Sequence, residues 1–302
     1  MPKLKADFEA DWVANLKFYL INEQGWPAVE VAALHDGNVP CHYFDAQRRR
    51  IANVPRTLKI GDTFVCPPDH KAGWAMLQEK VRKGEDINPH LSTRHASLLN
   101  PDGLLAEWGV HHFHLGTIPD PKNPAYTERT TALLYAIVGH ETLYAINIYD
   151  HSSFENTDVL ESIHRNWPEI ISVYRVKAVT GGVWDKEQRR ALRRANANVS
   201  VTTADGTVYM PIGGGVMASG INAAAVRQAD YWYFKILGFQ SDFEKQLASL
   251  LPTLTQNGYA GEEKIKAELK FFSEAFAQVF FPRYNVLANV TLVQSAASPI
   301  ER

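Results

Sequence analysis

Seven of the eleven histidines in this 302-residue chain fall between His90 and His151. An imidazole gives or takes a proton near neutral pH, and its neutral form also ligates metals. Within the group, Gly109-Val-His-His-Phe-His-Leu115 has the length and composition of a short strand. Side chains alternate along a strand, so His112 and His114 share one face while His111 joins Phe113 and Leu115 on the other, as a core or boundary residue. Two imidazoles on one face can hold a divalent ion, most commonly Zn²⁺. No further ligand stands at a diagnostic spacing. Leu115-Gly-Thr-Ile118 occupies the place of a cupin glutamate, and no His-Glu-x-x-His occurs. His112 and His114 are therefore a metal pair, a proton-transfer pair, or histidines hydrogen-bonded on a half-buried strand.

Two further runs, Thr130–Val138 and Leu143–Tyr149, flank Gly139-His-Glu-Thr142 and read as a β-hairpin. If Val138 closes against Leu143, Leu133, Tyr135 and Ile137 face Ile148, Ile146 and Tyr144, and Thr130 pairs with His151. A one-residue shift would place Arg129 opposite His151 instead. Either register puts Arg129 and His151 at the same end of the hairpin. An arginine beside an imidazole suits phosphodiester cleavage without a metal: the imidazole moves a proton, and the guanidinium offsets charge building on the phosphorane.

This order of elements, a helical lead-in, VHHFHL, RTTALLYAIV, LYAINIYDH and a closing helix, resembles the small RelE-like ribonuclease toxins over residues 92–166, about a quarter of the chain. The resemblance implies an antiparallel sheet against helices, with RNA-cutting side chains on the sheet. Carried over by position, Arg129 and His151 match; His112 and His114 are added from their spacing.

Other fragments are bland. His-x-[Ser/Thr] occurs at His90, His95, His140 and His151, too often to be specific. His35-Asp36 reads as a helix end and turn. Gly213-Gly-Gly215 lacks the Gly-Lys-[Ser/Thr] of a P-loop and reads as a flexible loop. No Gly-x-Ser-x-Gly is present. Trp232, Phe234 and Phe239 crowd one helix as core or dimer contacts.

The remaining elements follow from periodicity. Apolar residues at three- and four-residue steps predict a helix over 6–22, and residues 48–66 read as extended around Pro55. A helix over 69–83 stops at Gly84, and another from Thr157 or Asp158 stops at Trp167-Pro168. Asp185 caps a helix over 186–196, a hairpin turns at Ala-Asp-Gly206, and helical patterns cover 222–252 and 260–281. The expected fold is α+β: a small antiparallel sheet packed on helices, then a hairpin and a largely helical C-terminal portion. The expected domains are 1–176 and 177–302.

Charge divides unevenly although the net value is −2. Residues 44–83 hold nine Lys or Arg, including Arg48, Arg49 and Arg50, against four acids. On the 186–196 helix, Arg189 and Arg193, and Arg190 and Arg194, stand four apart. These seven arginines are candidate phosphate contacts for RNA or a phosphorylated nucleotide, or else solvated faces. No apolar run is long enough to span a bilayer, the first residues lack a signal-peptide core, and Cys41 and Cys66 cannot form a disulfide framework. A cytoplasmic protein with no membrane partner is expected.

The sequence thus predicts cofactor-independent phosphodiester cleavage by an endoribonuclease of toxin or defence type. His151 would exchange protons with His112 or His114, and Arg129 would stabilise the transition state. The alternatives are a hydrolase using zinc or another divalent metal at His112 and His114, and a non-catalytic protein binding nucleic acid or a partner. The C-terminal helices could pack internally, form a homodimer or take a protein partner.

Overall fold

A computed structural model describes residues 2–151, 153, 157–177, 181–182 and 184–292. In chain order the first elements are β1 (Lys3–Lys5), α1 (Phe8–Phe18), α2 (Ala28–Ala32), α3 (Val39–Arg49), β2 (Thr57–Ile60) and α4 (Lys71–Lys83). Then come α5 (Gly103–Trp108), β3 (His111–His114), β4 (Ala132–Val138), β5 (Thr142–Asp150), α6 (Asp158–Asn166) and α7 (Pro168–Ile171). The last are β6 (Arg175–Val176), α8 (Lys186–Arg194), β7 (Val201–Thr202), β8 (Val208–Tyr209), α9 (Ala223–Gln256), β9 (Lys264–Lys266), β10 (Glu268–Phe272), β11 (Phe276–Phe281) and β12 (Val286–Thr291). The class is α+β. Among the described residues no helix is long and apolar enough to cross a membrane.

Two compact units divide the chain: Met1–Tyr43 with Arg227–Arg302, and Phe44–Val226. The boundary expected at 176/177 falls inside the second unit. In the first, β1 pairs in parallel with β9, and Phe8 of α1 stacks on Phe239 of α9 at 5.6 Å. The C-terminal part is helical through the 34-residue α9. The helix expected over 260–281 is instead β9, β10 and β11, with β10, β11 and β12 forming an antiparallel sheet. Ser273 breaks the run: its hydroxyl accepts the Phe276 N–H at 3.1 Å and closes a turn between two strands.

The second unit is built on a sheet in the order β2-β5-β4-β3. The β3–β4 and β4–β5 pairs are antiparallel, as expected, but β2 lies parallel to β5, which makes the sheet mixed. One face packs Phe113, Leu134 and Ala145 against Trp74, Leu77 and Val81 of α4. The other packs Leu133, Tyr135 and Ile146 against Val159, Leu160 and Ile163 of α6. The spacing of those helical residues presents one apolar stripe each. Gly84 ends α4 at φ 72°, a left-handed conformation in which its N–H meets the last carbonyls.

Val138 closes against Leu143 as predicted, but a β-bulge between Tyr135 and Ala136 shifts the register beyond it. Leu133 therefore faces Tyr149, and Tyr135 faces Asn147. Pairing ends at Ala132 and Asp150, so neither Thr130 nor Arg129 is the cross-strand partner of His151.

Gly213-Gly-Gly215, expected to be a flexible loop, lies tight against α5. The Gly215 N–H donates to the Ala106 carbonyl at 2.9 Å, and a Cβ on Gly213 would overlap the Leu105 carbonyl. Gly73 in α4 meets the chain after β3 in the same way, because a Cβ there would overlap the Leu115 carbonyl. Gly73→Ala should therefore destabilise the protein by about 1–3 kcal/mol, although Ala is the better helix former by about 1 kcal/mol. A thermal melt of the variant checks the sign.

Candidate active site

Strand β3 carries the three histidines into the interior. His111 lies beside Phe113, their rings 6.2 Å apart, on the α4 face, and its Nε2–H donates to the Arg48 carbonyl at 3.3 Å. Burial pushes its pKa down to about 4. His111 is thus the boundary residue that strand alternation implied. His112 and His114 lie on the opposite face, across from Tyr135 and Leu133.

His114 is 2% exposed. Its Nδ1 accepts the Thr130 backbone N–H at 2.9 Å. A neutral imidazole has one donor and one acceptor nitrogen, so this bond places the ring proton on Nε2. That Nε2 is buried and has no partner among the described residues. Burial, reinforced by the positive field of Arg129, drives the pKa of His114 down to about 3. The ring is therefore a neutral donor with its N–H unspent. His151 follows the last residue of β5, is exposed, and stands with its ring centre 5.6 Å from that of His114.

Arg129 precedes β4 and donates from Nη1 to the Leu91 carbonyl at 2.8 Å, which fixes a half-buried guanidinium. Desolvation lowers its pKa, while Asp120 and Tyr126 oppose the shift. Arg129 thus joins the group at the open end of the hairpin by its field on His114 and His112.

A second pair completes the cluster. His95 Nε2–H donates to Asp102 Oδ2 at 2.9 Å, while Asp102 Oδ1 caps α5 by accepting the Leu105 N–H at 2.9 Å. Burial alone would raise the Asp102 carboxyl. The His95 hydrogen bond, the field of His112 and the Leu105 N–H hold it well below the usual carboxylate range. The His95 ring stands nearly perpendicular to His112, 6.3 Å between centres, and its Nδ1 is buried without a partner among the described residues. His112 is pushed down to about 4 by desolvation, with Asp102 pulling the other way and His95, His151 and Arg129 adding to the depression. The Asp102 carboxylate acts on His112, as it does on His111, against the desolvation.

All four residues singled out for catalysis meet in this one region. Sequence reasoning missed Asp102, the role of His95 and the Thr130 backbone; the only local signal is Asp102 as an N-cap before an apolar run. His90, also buried, donates Nδ1–H to the His114 carbonyl at 2.8 Å and accepts from Lys80 Nζ at 3.2 Å. Burial lowers its pKa to about 4. Among the described residues no three His, Cys, Asp or Glu side chains group as a divalent ion requires.

The candidate phosphate-binding arginines divide sharply. Arg49 is 1% exposed and donates to the carbonyls of Ser97, Leu98 and Asn100 at 2.7–3.0 Å, with Asp45 at 3.0 Å. It pins the loop ahead of α5 and is unavailable to a phosphate. Arg48 donates to the Gly213 carbonyl at 2.8 Å. Arg189 is buried against the Trp184 carbonyl, and Arg193 binds Glu107 at 2.6 Å, so the expected broad cationic face of α8 is not presented whole. Arg50, Arg190 and Arg194 are exposed. Arg50 and Arg129 both act on Tyr126, whose hydroxyl is raised mainly by burial.

Compared with protein-family models, curated proteins and solved structures, the chain matches none.

His90, His111, His112 and His114 are uncharged when folded and can take protons near pH 6 only when unfolded. The unfolded chain then binds more protons, and stability rises with pH. The stabilisation is complete above about pH 6.5 and lost as pH falls through about 4, or through about 3 for His114. Urea midpoints should therefore drop steeply between pH 7 and pH 4.5, with about 3 kcal/mol per ring as the upper bound. His111→Gln should flatten that dependence.

Proposed function

We propose that the chain cleaves phosphodiester bonds in RNA without a metal, as an endoribonuclease of toxin or defence type. The observation that carries this reading is the exposed His151 ring 5.6 Å from a buried, neutral His114 whose Nε2–H has no acceptor among the described residues. A buried donor left unmatched costs about 1–3 kcal/mol, and an anionic oxygen entering the site would recover it.

In this reading His151 takes the proton from the ribose 2′-hydroxyl as its oxygen attacks phosphorus. The bond from phosphorus to the 5′-oxygen breaks, and that oxygen takes a proton from water; His112, neutral beside the Asp102 carboxylate, lines the site. His114 donates Nε2–H to a non-bridging oxygen, and Arg129 offsets the charge that builds there. His95 is a positioning residue that holds Asp102 against α5. Arg50 grips a phosphate beside the reacting one. The likeness to RelE-like toxins supports the same reaction class, and the two free cysteines suit a reducing cytoplasm.

The purified protein should degrade RNA but not DNA in excess EDTA, because attack needs the 2′-hydroxyl. His151→Ala should remove at least about 99% of the activity, and His114→Gln, which keeps an amide donor, should retain more than His114→Ala. Arg50→Ala should raise KM several-fold with little change in kcat. Intact RNA at high protein concentration would sink the proposal. Activity lost in EDTA and restored by zinc would move it to a metal hydrolase at His112 and His114. Salt-sensitive RNA binding without cleavage would leave a binding protein.

A further inference from the structure

Helix α9 has two faces. Ala225, Ala229, Ile236, Phe239, Phe243 and Leu247 are buried. On the other side Arg227, Asp230, Phe234, Leu237, Ser241, Glu244 and Ala248 are all exposed, at alternating steps of three and four. That is the spacing of a coiled-coil seam. Phe234 is 68% exposed, an unusual position for a phenylalanine in the middle of a 34-residue helix.

The seam is self-complementary in one antiparallel register. When Phe234 lies opposite the partner's Leu237, Arg227 falls opposite the partner's Glu244, and Asp230 opposite the partner's Ser241. Every layer then occurs twice about a two-fold axis. Sliding the helices by one heptad puts Phe234 opposite glutamate in one direction and aspartate in the other. Parallel pairing sets Arg227 on Arg227 and Glu244 on Glu244. Among the described residues neither Arg227 nor Glu244 is in an ion pair. Gly238, at the flank of the apolar centre, would carry a Cβ into open space and adds no side chain of its own to this face.

We propose that this face of α9 docks on the same face of a second copy of the chain, antiparallel, with Phe234 against the partner's Leu237 and Arg227 against the partner's Glu244. The dimer is independent of the catalytic reading, since none of these residues belongs to the histidine cluster. With two apolar layers and two ion pairs, the affinity is in the micromolar range at about 25 °C.

Sedimentation velocity of the full chain over about 1–100 µM is the test. The wild type should pass from monomer to dimer across that range, and Phe234→Asp should remain monomeric with unchanged circular dichroism. Arg227→Glu and Glu244→Arg should each weaken association by roughly tenfold, and the double variant should restore it. A wild type that is monomeric throughout, or charge reversals that do not rescue one another, would overturn the proposal.

Discussion

A four-residue strand can carry three imidazoles into a protein interior only if they stay uncharged. Desolvating an ionised ring in apolar surroundings costs more than a short strand can return. Burial keeps the rings in and around β3 neutral, and for three of them a backbone partner fixes the tautomer. The Arg48 carbonyl takes the His111 proton, the Thr130 N–H occupies Nδ1 of His114, and the His114 carbonyl takes the proton of His90. These bonds fix which nitrogen carries hydrogen, and so decide which atoms remain to meet a ligand. The chemistry of the cluster is set by backbone groups as much as by side chains.

The sheet exists to hold that arrangement. Helix α4 and helix α6 cover opposite faces, and the bulge between Tyr135 and Ala136 changes which residues of β5 look toward α6. Without the extra residue, Tyr149 and His151 would turn toward the wrong side of the hairpin, since a one-residue slip inverts a strand's faces. The same irregularity frees Asn147 to accept the Val65 N–H at 2.9 Å and tie down the chain after β2. A single inserted residue thus serves both the site and the edge of the sheet.

Much of this was legible in the sequence. Alternation separated His111 from His112 and His114, the hairpin closure at Val138 and Leu143 followed from turn residues, and the stops of α4 and α6 followed from Gly84 and Pro168. What escaped was non-local. Nothing near Lys3 announces a partner at Lys264, and nothing near His95 announces Asp102 as its hydrogen-bond acceptor. The run Glu268–Phe281 satisfies both helical and strand periodicity when read alone, and only the turn at Ser273 with neighbouring β12 decides it. Arginine counts misled for a related reason: charge on paper does not distinguish the buried Arg49, spent on three carbonyls, from the exposed Arg50.

The pairing of β1 with β9 joins segments that lie about 260 residues apart in the chain, and the unit bearing the histidines is one uninterrupted stretch between them. On the ribosome that stretch is complete before β9 has been made, so the site can assemble while its host is still open. The flanking unit must hold Lys3–Lys5 unpaired until the last quarter of the chain emerges. The order of synthesis thus makes the interior stretch available before the β1–β9 pair can close.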